Sequence, residues 1–207
     1  MEGPHRSRAR RSSSAGFVLT GGRSSRMGQD KATLPWRGAT LVEHVAACVR
    51  AATGSSASFG NVTLVGAPER YARLGLTTDV HPGLTAVADR YQDCGPLGGI
   101  CTALEITSAD WNLIVACDMP GVTADFLSGL LDAAEAAGVD CLVPESSGGL
   151  HPLCAVYHRR AGPAAKRQIL SKSFKMHDFV ANLQALTFPT AAAFVENINT
   201  PREWTSR

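Results

Sequence analysis

The chain alternates short apolar runs with longer segments of mixed character, and this alternation predicts strands separated by helices. Gly16 to Thr20 reads as a first strand. Thr40-Leu41-Val42-Glu43 carries the capping-box signature, so the helix it opens is expected to run to about Ala52. After a loop at Gly54 to Ser58, the β-branched run Asn61 to Gly66 predicts a second strand. A short helix near Glu69 to Leu74 and a third strand at Thr77 to Val80 follow. Pro96 fits the first turn of a helix ending near Thr107. Trp111 to Cys117 is the longest apolar run, as expected of a central strand buried on both faces.

Thr123 is placed to cap a helix reaching about Ala137, which Gly138 stops. Cys141 to Pro144 and Leu153 to Tyr157 predict further strands, Pro163 to Leu170 and Phe174 to Leu183 further helices. Phe194 is expected in a final short strand before Thr200-Pro201 opens a terminal helix. Strands alternating with helices imply an α/β fold: a Rossmann-like three-layer sandwich around a mostly parallel sheet. Ligands of such sheets bind beyond the carboxyl ends of the strands. No segment repeats internally.

Composition narrows this picture. At 207 residues the chain is expected to form one domain, spanning residues 15–207. The first fourteen residues set Arg6, Arg8, Arg10 and Arg11 among serines with few apolar residues, which predicts a disordered tail. The apolar stretch after Arg10-Arg11 is too short for the core of an export signal, and no run reaches membrane-spanning length. The expectation is a cytoplasmic protein without a membrane partner. A net charge of +2 argues against a dedicated nucleic-acid binder. Six cysteines include no C-x-x-C pair, and Cys117, Cys141 and Cys154 lie in apolar runs, where they read as small core residues.

The segment Leu19-Thr20-Gly21-Gly22-Arg23-Ser24-Ser25-Arg26-Met27-Gly28-Gln29-Asp30-Lys31 carries most of the chemistry. A strand ends here in two glycines. Glycine lets a backbone approach a ligand closely, and successive N–H groups in such a turn form an anion site. Arg26 can grip phosphate oxygens with a planar fork, and Lys31 adds a mobile positive charge. The spacing is neither that of a P-loop nor G-x-G-x-x-G, so kinase-like and NAD-binding readings lose ground.

Other candidates follow strand ends or precede helices. Asp118 sits directly after the most apolar run, before Met119-Pro120. A carboxylate there suits Mg²⁺, which takes one or two carboxylates plus substrate phosphates. Read alone, it is equally a turn aspartate bonding its own backbone. Asp89 precedes Gly95-Pro96-Leu97-Gly98-Gly99, with Asp93 as its rival. The glycine turn at Gly95 is either a phosphate approach at a helix N-terminus or a plain loop. His151, after Gly148-Gly149, is a pocket contact or a packing residue, and His177 has no supporting neighbour. Asn197 and Asn199 alternate about Ile198, so they share a face of an extended segment.

Leu19 to Lys31, followed in order by Gly95-Pro96-Leu97-Gly98-Gly99-Ile100, Val115-Ala116-Cys117-Asp118-Met119-Pro120, His151-Pro152-Leu153 and Asn197-Ile198-Asn199-Thr200-Pro201, resembles the molybdenum-cofactor guanylyltransferases (MobA-like nucleotidyltransferases). The resemblance spans residues 16 to 205. It implies a nucleotide-diphospho-sugar transferase-like fold and transfer of GMP from GTP to molybdopterin or its molybdenum form, with loss of pyrophosphate. It further implies Mg²⁺ on Asp118, and nucleotide contacts at Leu19, Thr20, Gly21, Gly22, Lys31, Asp89, Gly95 and Asp118. Arg26, Lys31 and Asp118 are the implied catalytic residues, and His151, Asn197 and Asn199 the acceptor contacts. Molybdoenzyme chaperones are implied partners.

Gly21-Gly22 goes with GTP in this family, whereas CTP-using relatives carry Ala-Gly. Thr20 departs from the family's more frequent alanine. Two other activities fit the same residues: a nucleotidyltransferase using CTP or another phosphate acceptor, and a nucleotide-binding accessory protein without turnover.

Overall fold

In a computed structural model of the chain, residues 13–21, 33–54, 62–73, 75–76, 81 and 83–197 are described. Five of the strands that run in one direction come first: β1 (Ser14–Leu19), β4 (Val62–Gly66), β5 (Leu84–Ala88), β6 (Trp111–Ala116) and β7 (Cys141–Ser146). Between them come the small hairpin β2 (Pro35–Trp36) and β3 (Ala39–Thr40), and the helices α1 (Leu41–Ala52), α2 (Pro68–Arg73), α3 (Pro96–Ile106) and α4 (Ala124–Ala137). After β7 the chain makes β8 (Gly149–Leu150), β9 (Cys154–His158), α5 (Gly162–Leu170), α6 (Met176–Ala181), β10 (Ala185–Pro189) and α7 (Ala192–Val195). The sheet order is β10-β7-β9-β6-β1-β4-β5, with β8 paired to β7. β9 runs antiparallel to both its neighbours, and the other pairings along that order are parallel.

Alternation along the strands produces the three layers. In β6, Leu113 and Val115 face one core and Ile114 the other; in β1, Val18 and Phe17 divide the same way. The first core takes the buried faces of α1 and α4, and the second those of α3, α5 and α6. Every residue of β6 is buried, as its unbroken apolar run predicts. Helix α1 is mounted firmly. Thr40 accepts from the Glu43 backbone N–H at 3.4 Å, and the Glu43 carboxylate accepts from the Thr40 N–H at 2.7 Å. Leu41, Val42, Val45, Ala46 and Val49 form its buried face. Thr123 caps α4, and Gly138 ends it with φ +64°, as expected from sequence.

Several expectations change. Ser14 belongs to β1, and the Ser13 carbonyl accepts from the Trp111 N–H at 3.0 Å, so the strand begins within the predicted tail. Residues 1–12 lie outside the described set, as do 77–80, where a third strand was expected. The strand beside β4 is instead Leu84–Ala88. Phe194 lies in the helical turn α7, following a run of alanines, and stacks on Phe126 with ring centroids 4.9 Å apart. The helix expected over Phe174 to Leu183 is only Met176–Ala181, and the chain beyond it adds β10 to the sheet edge beside β7. The terminal helix expected from Thr200-Pro201 lies outside the described residues. Among those residues, no helix is long and apolar enough to cross a membrane.

The capping box generates a direct expectation. Thr40→Ala removes a side-chain cap and should lower unfolding free energy by about 1 kcal/mol. Urea unfolding followed by circular dichroism measures this, and an unchanged midpoint would show that packing alone holds the start of α1.

Candidate active site

Parallel pairing brings the carboxyl ends of β5, β4, β1 and β6 to one rim. At the end of β1 the ladder continues beyond the strands themselves. The Cys117 N–H donates to the Leu19 carbonyl at 3.0 Å. The residue before Asp118 is therefore tied to the residue before Thr20-Gly21. Sequence reasoning proposed a shared site for these two segments, and this bond makes them neighbours.

Thr20 is occupied by the fold. It is buried, its hydroxyl donates to the Val65 carbonyl at 2.9 Å, and its N–H donates to the same oxygen at 3.0 Å. The Tyr71 hydroxyl donates to the Thr20 carbonyl at 3.1 Å. The threonine thus locks the end of β1 onto β4, and its side chain is turned away from the loop. Gly66 makes room for it, because a Cβ there would overlap the Thr20 hydroxyl. At Gly21, by contrast, no described atom lies within 4 Å of the place a Cβ would take. Gly22, Arg26 and Lys31 lie outside the described residues.

Asp118 is half-buried and directly follows β6, while Met119 and Pro120 are buried beneath it. Its loop is gripped from two directions. A Cβ on Gly121 would collide with the Ala193 carbonyl of α7, so only glycine allows that approach. From α1, His44 Nε2 lies 3.2 Å from the Pro120 carbonyl, and the Cys48 thiol donates to the Val122 carbonyl at 3.5 Å.

Asp89 continues β5, its N–H donating to the Gly66 carbonyl at 3.1 Å. This places Asp89 at the rim, with Asp93 further into the loop at φ +61°. The Asp89 carboxylate accepts from the Tyr91 N–H at 2.9 Å and the Thr102 hydroxyl at 3.0 Å, so it holds the loop against α3. Gly95 is the N-cap of α3, with φ +62° and no side-chain cap, so a left-handed turn requires glycine there. Gly98 and Gly99 are close-packing residues. A Cβ at Gly98 would meet the Tyr91 carbonyl, and one at Gly99 would come within 3.0 Å of Leu19.

His151 reaches the same rim because β9 is antiparallel, which puts its start beside the end of β6. The Ala116 N–H donates to the Leu153 carbonyl at 2.7 Å. His151 Nε2 lies 2.7 Å from the Ser146 hydroxyl. Burial holds the imidazole below its ordinary 6.5, partly offset by the nearby Glu196 carboxylate. Glu196 and Asn197 follow α7, which brings the Glu196 carboxylate near His151. Asn199 lies outside the described residues. His177, in α6, belongs to the layer of helices rather than this rim.

Ser146, Glu196, His44 and Tyr71 escaped the sequence reading because none sits in a recognisable spacing. Each reaches the rim through tertiary contact. Cys141 and Cys154 are core residues as expected, and so is Cys101, whereas Cys117 is only partly buried; burial pushes Cys101 up to about 11 and Cys154 to about 12, far from a reactive thiolate.

The rim fits a hard cation shared with phosphate. Among the described residues no group of three or more His, Cys, Asp or Glu could cage a metal. A lone strand-end carboxylate is the donor pattern Mg²⁺ uses when substrate phosphates and water complete its shell.

Burial also holds His44 and His158 below 6.5. In the unfolded chain these groups gain protons near that value, whereas in the fold they resist. The unfolded state therefore binds more protons as pH falls, and stability declines with it. The urea midpoint should be lower at about pH 5.5 than at about pH 7.5, and His151→Gln should narrow the gap. A midpoint constant across that window would contradict the burial of these imidazoles.

Known proteins share this fold. The MobA-like NTP transferase domain matches residues 16–186. A probable molybdenum cofactor guanylyltransferase of Bacillus cereus is 32% identical over 146 residues, 70% of this chain and 68% of that protein. The molybdopterin-guanine dinucleotide biosynthesis protein A of Archaeoglobus fulgidus superposes with a TM-score of 0.73 at 25% identity, covering 93% of this chain and 95% of that one. The 2-C-methyl-D-erythritol 4-phosphate cytidylyltransferase of Thermus thermophilus shares the fold, with a TM-score of 0.63 at 13% identity over 92% of this chain and 95% of that one. The match over residues 16–186 and the 32% identity to the Bacillus cereus protein show that the chain belongs to the MobA-like NTP transferase family.

Proposed function

We propose that the chain transfers GMP from GTP to the terminal phosphate of molybdopterin or molybdenum-molybdopterin, releasing pyrophosphate. The observation that carries this reading is the bond between Cys117 and Leu19, which ties the strand end leading into Thr20-Gly21 to the residue before Asp118. The guanylyltransferase relatives support the base and the acceptor. An acceptor phosphate oxygen attacks the α-phosphorus of GTP. That new P–O bond replaces the bond to pyrophosphate, which leaves with its electron pair. The acceptor is ionised at neutral pH and needs no general base. Catalysis therefore rests on alignment and charge neutralisation.

Each residue has a part in that alignment. The backbone of Leu19, Thr20, Gly21 and Gly22 receives the base and ribose, with Gly21 leaving space where a methyl would crowd a purine. Arg26 and Lys31 neutralise the triphosphate and the leaving pyrophosphate. Asp89 and Gly95 bound the nucleotide side of the rim. Asp118 would hold Mg²⁺, which when bound supplies Lewis-acid neutralisation of phosphate charge. His151, Asn197 and Asn199 receive the acceptor. Molybdoenzyme chaperones are the recipients to which the product would pass.

Two measurements test this. Asp118→Ala and Lys31→Ala should each cut turnover by a factor of roughly 100 or more while leaving the circular dichroism spectrum unchanged. Wild-type turnover in either would remove the assigned role. Pyrophosphate release should occur with GTP and molybdopterin, and not with CTP, ATP or UTP. Release with CTP would overturn the base assignment, and silence with every nucleotide would overturn the acceptor.

A further inference from the structure

His44 and Cys48 lie one helical turn apart on α1, outside the motifs that carry the candidate chemistry. Both reach across to the loop that follows Asp118. Pro120 is buried, and its carbonyl lies 3.2 Å from His44 Nε2. A carbonyl can only accept, so Nε2 carries the proton in this contact. Two residues further on, the Val122 carbonyl accepts from the Cys48 thiol at 3.5 Å. The thiol is a weak donor, so His44 is the stronger of the two ties.

The geometry points to His44, assisted by Cys48, as a positioning residue that aims Asp118 by holding the carbonyl groups of Pro120 and Val122. This rests on the reading of Asp118 as the carboxylate that holds Mg²⁺ against the substrate phosphates.

Three features make this more than packing. The contact lands two residues from Asp118, on a segment with little freedom of its own. The Pro120 ring fixes its φ, and Gly121 is wedged against the Ala193 carbonyl. The mount is stiff, because α1 is capped at Thr40 and buries Leu41, Val42, Val45, Ala46 and Val49. The opposite end of the segment is anchored as well, by the Cys117 bond to Leu19. Asp118 therefore sits between two fixed points, one on β1 and one on α1. Releasing the α1 point lets the loop carbonyls rotate and shifts the carboxylate relative to the glycine loop. Groups that orient a metal-binding side chain typically matter by roughly 10–100-fold in metal affinity or activity.

The test uses the full chain and variants that separate aim from stability. His44→Phe keeps a ring of similar shape and loses the donor. His44→Gln keeps an N–H donor. Binding of Mn²⁺ to the complex with a non-hydrolysable GTP analogue, read by electron paramagnetic resonance, reports the metal site without turnover. His44→Phe should weaken Mn²⁺ binding roughly 10-fold or more and lower kcat about as much, with KM for GTP changed far less. His44→Gln should recover most of both. Cys48→Ala should give a smaller effect in the same direction, and Cys48→Ser should restore it.

Wild-type Mn²⁺ binding and kcat in His44→Phe, with only a lower unfolding temperature, would overturn the role and leave His44 a packing residue. Asp118→Asn separates the two layers of the argument. If it abolishes Mn²⁺ binding while His44→Phe binds normally, only the His44 assignment falls. If Asp118→Asn itself binds Mn²⁺ and turns over like wild type, the reading of Asp118 falls and the role of His44 goes with it.

Discussion

Everything at the rim depends on the pairing of β1 with β6. Six register pairs, from Ser14 with Trp111 to Leu19 with Ala116, join β1 to β6, the fully buried strand of the sheet. The bond from Cys117 to Leu19 extends that ladder to the point where both strands stop. The strand end that leads into Thr20-Gly21 is thereby tied to the residue before Asp118, far away in the chain. Burial enforces the register. A slip of one residue would exchange the two faces of β6, turning Leu113 and Val115 into the core built for Ile114.

That pairing places the site, and small residues and buried polar contacts shape it. Thr20, Gly66 and Tyr71 form a connected unit at the end of β1 and β4: the threonine hydroxyl needs the glycine's missing Cβ, and the tyrosine hydroxyl closes over the Thr20 carbonyl. Gly121 allows α7 to press on the Asp118 loop, and α7 in turn delivers Glu196 and Asn197 to the neighbourhood of His151. The departure at Thr20 is thus a structural substitution. Its hydroxyl strengthens the junction between β1 and β4 by donating to the Val65 carbonyl.

Much of this was legible in the sequence because the signals were local. The all-apolar run of β6, the capping box of α1 and the glycine stop of α4 each encode an element within a few residues. Asp118 and Gly21 were recognisable as strand-end residues for the same reason. What escaped the sequence reading depends on contacts distant in the chain. β10 is an exposed edge strand with Leu186 on the surface, so its apolar pattern is weak. Phe194 looked like a strand residue because aromatics favour strands, but its alanine-rich neighbours and its stacking on Phe126 decide for a helical turn. The His44 contact is invisible to any spacing rule, since its partner lies in a different layer. Asp89 was identified as a candidate, while its bonds to Tyr91 and Thr102 became apparent only in the fold.

The central claim is direct displacement at the α-phosphorus, with the nucleotide passed straight to the acceptor. Its most direct test is to follow label from GTP carrying radioactive phosphorus at the α or the γ position, with molybdopterin and Mg²⁺ present. The account predicts α label in a pterin dinucleotide, γ label in pyrophosphate, and none bound to protein after denaturation. Label transferred from the γ position to the pterin, or α label held covalently on the chain, would contradict it.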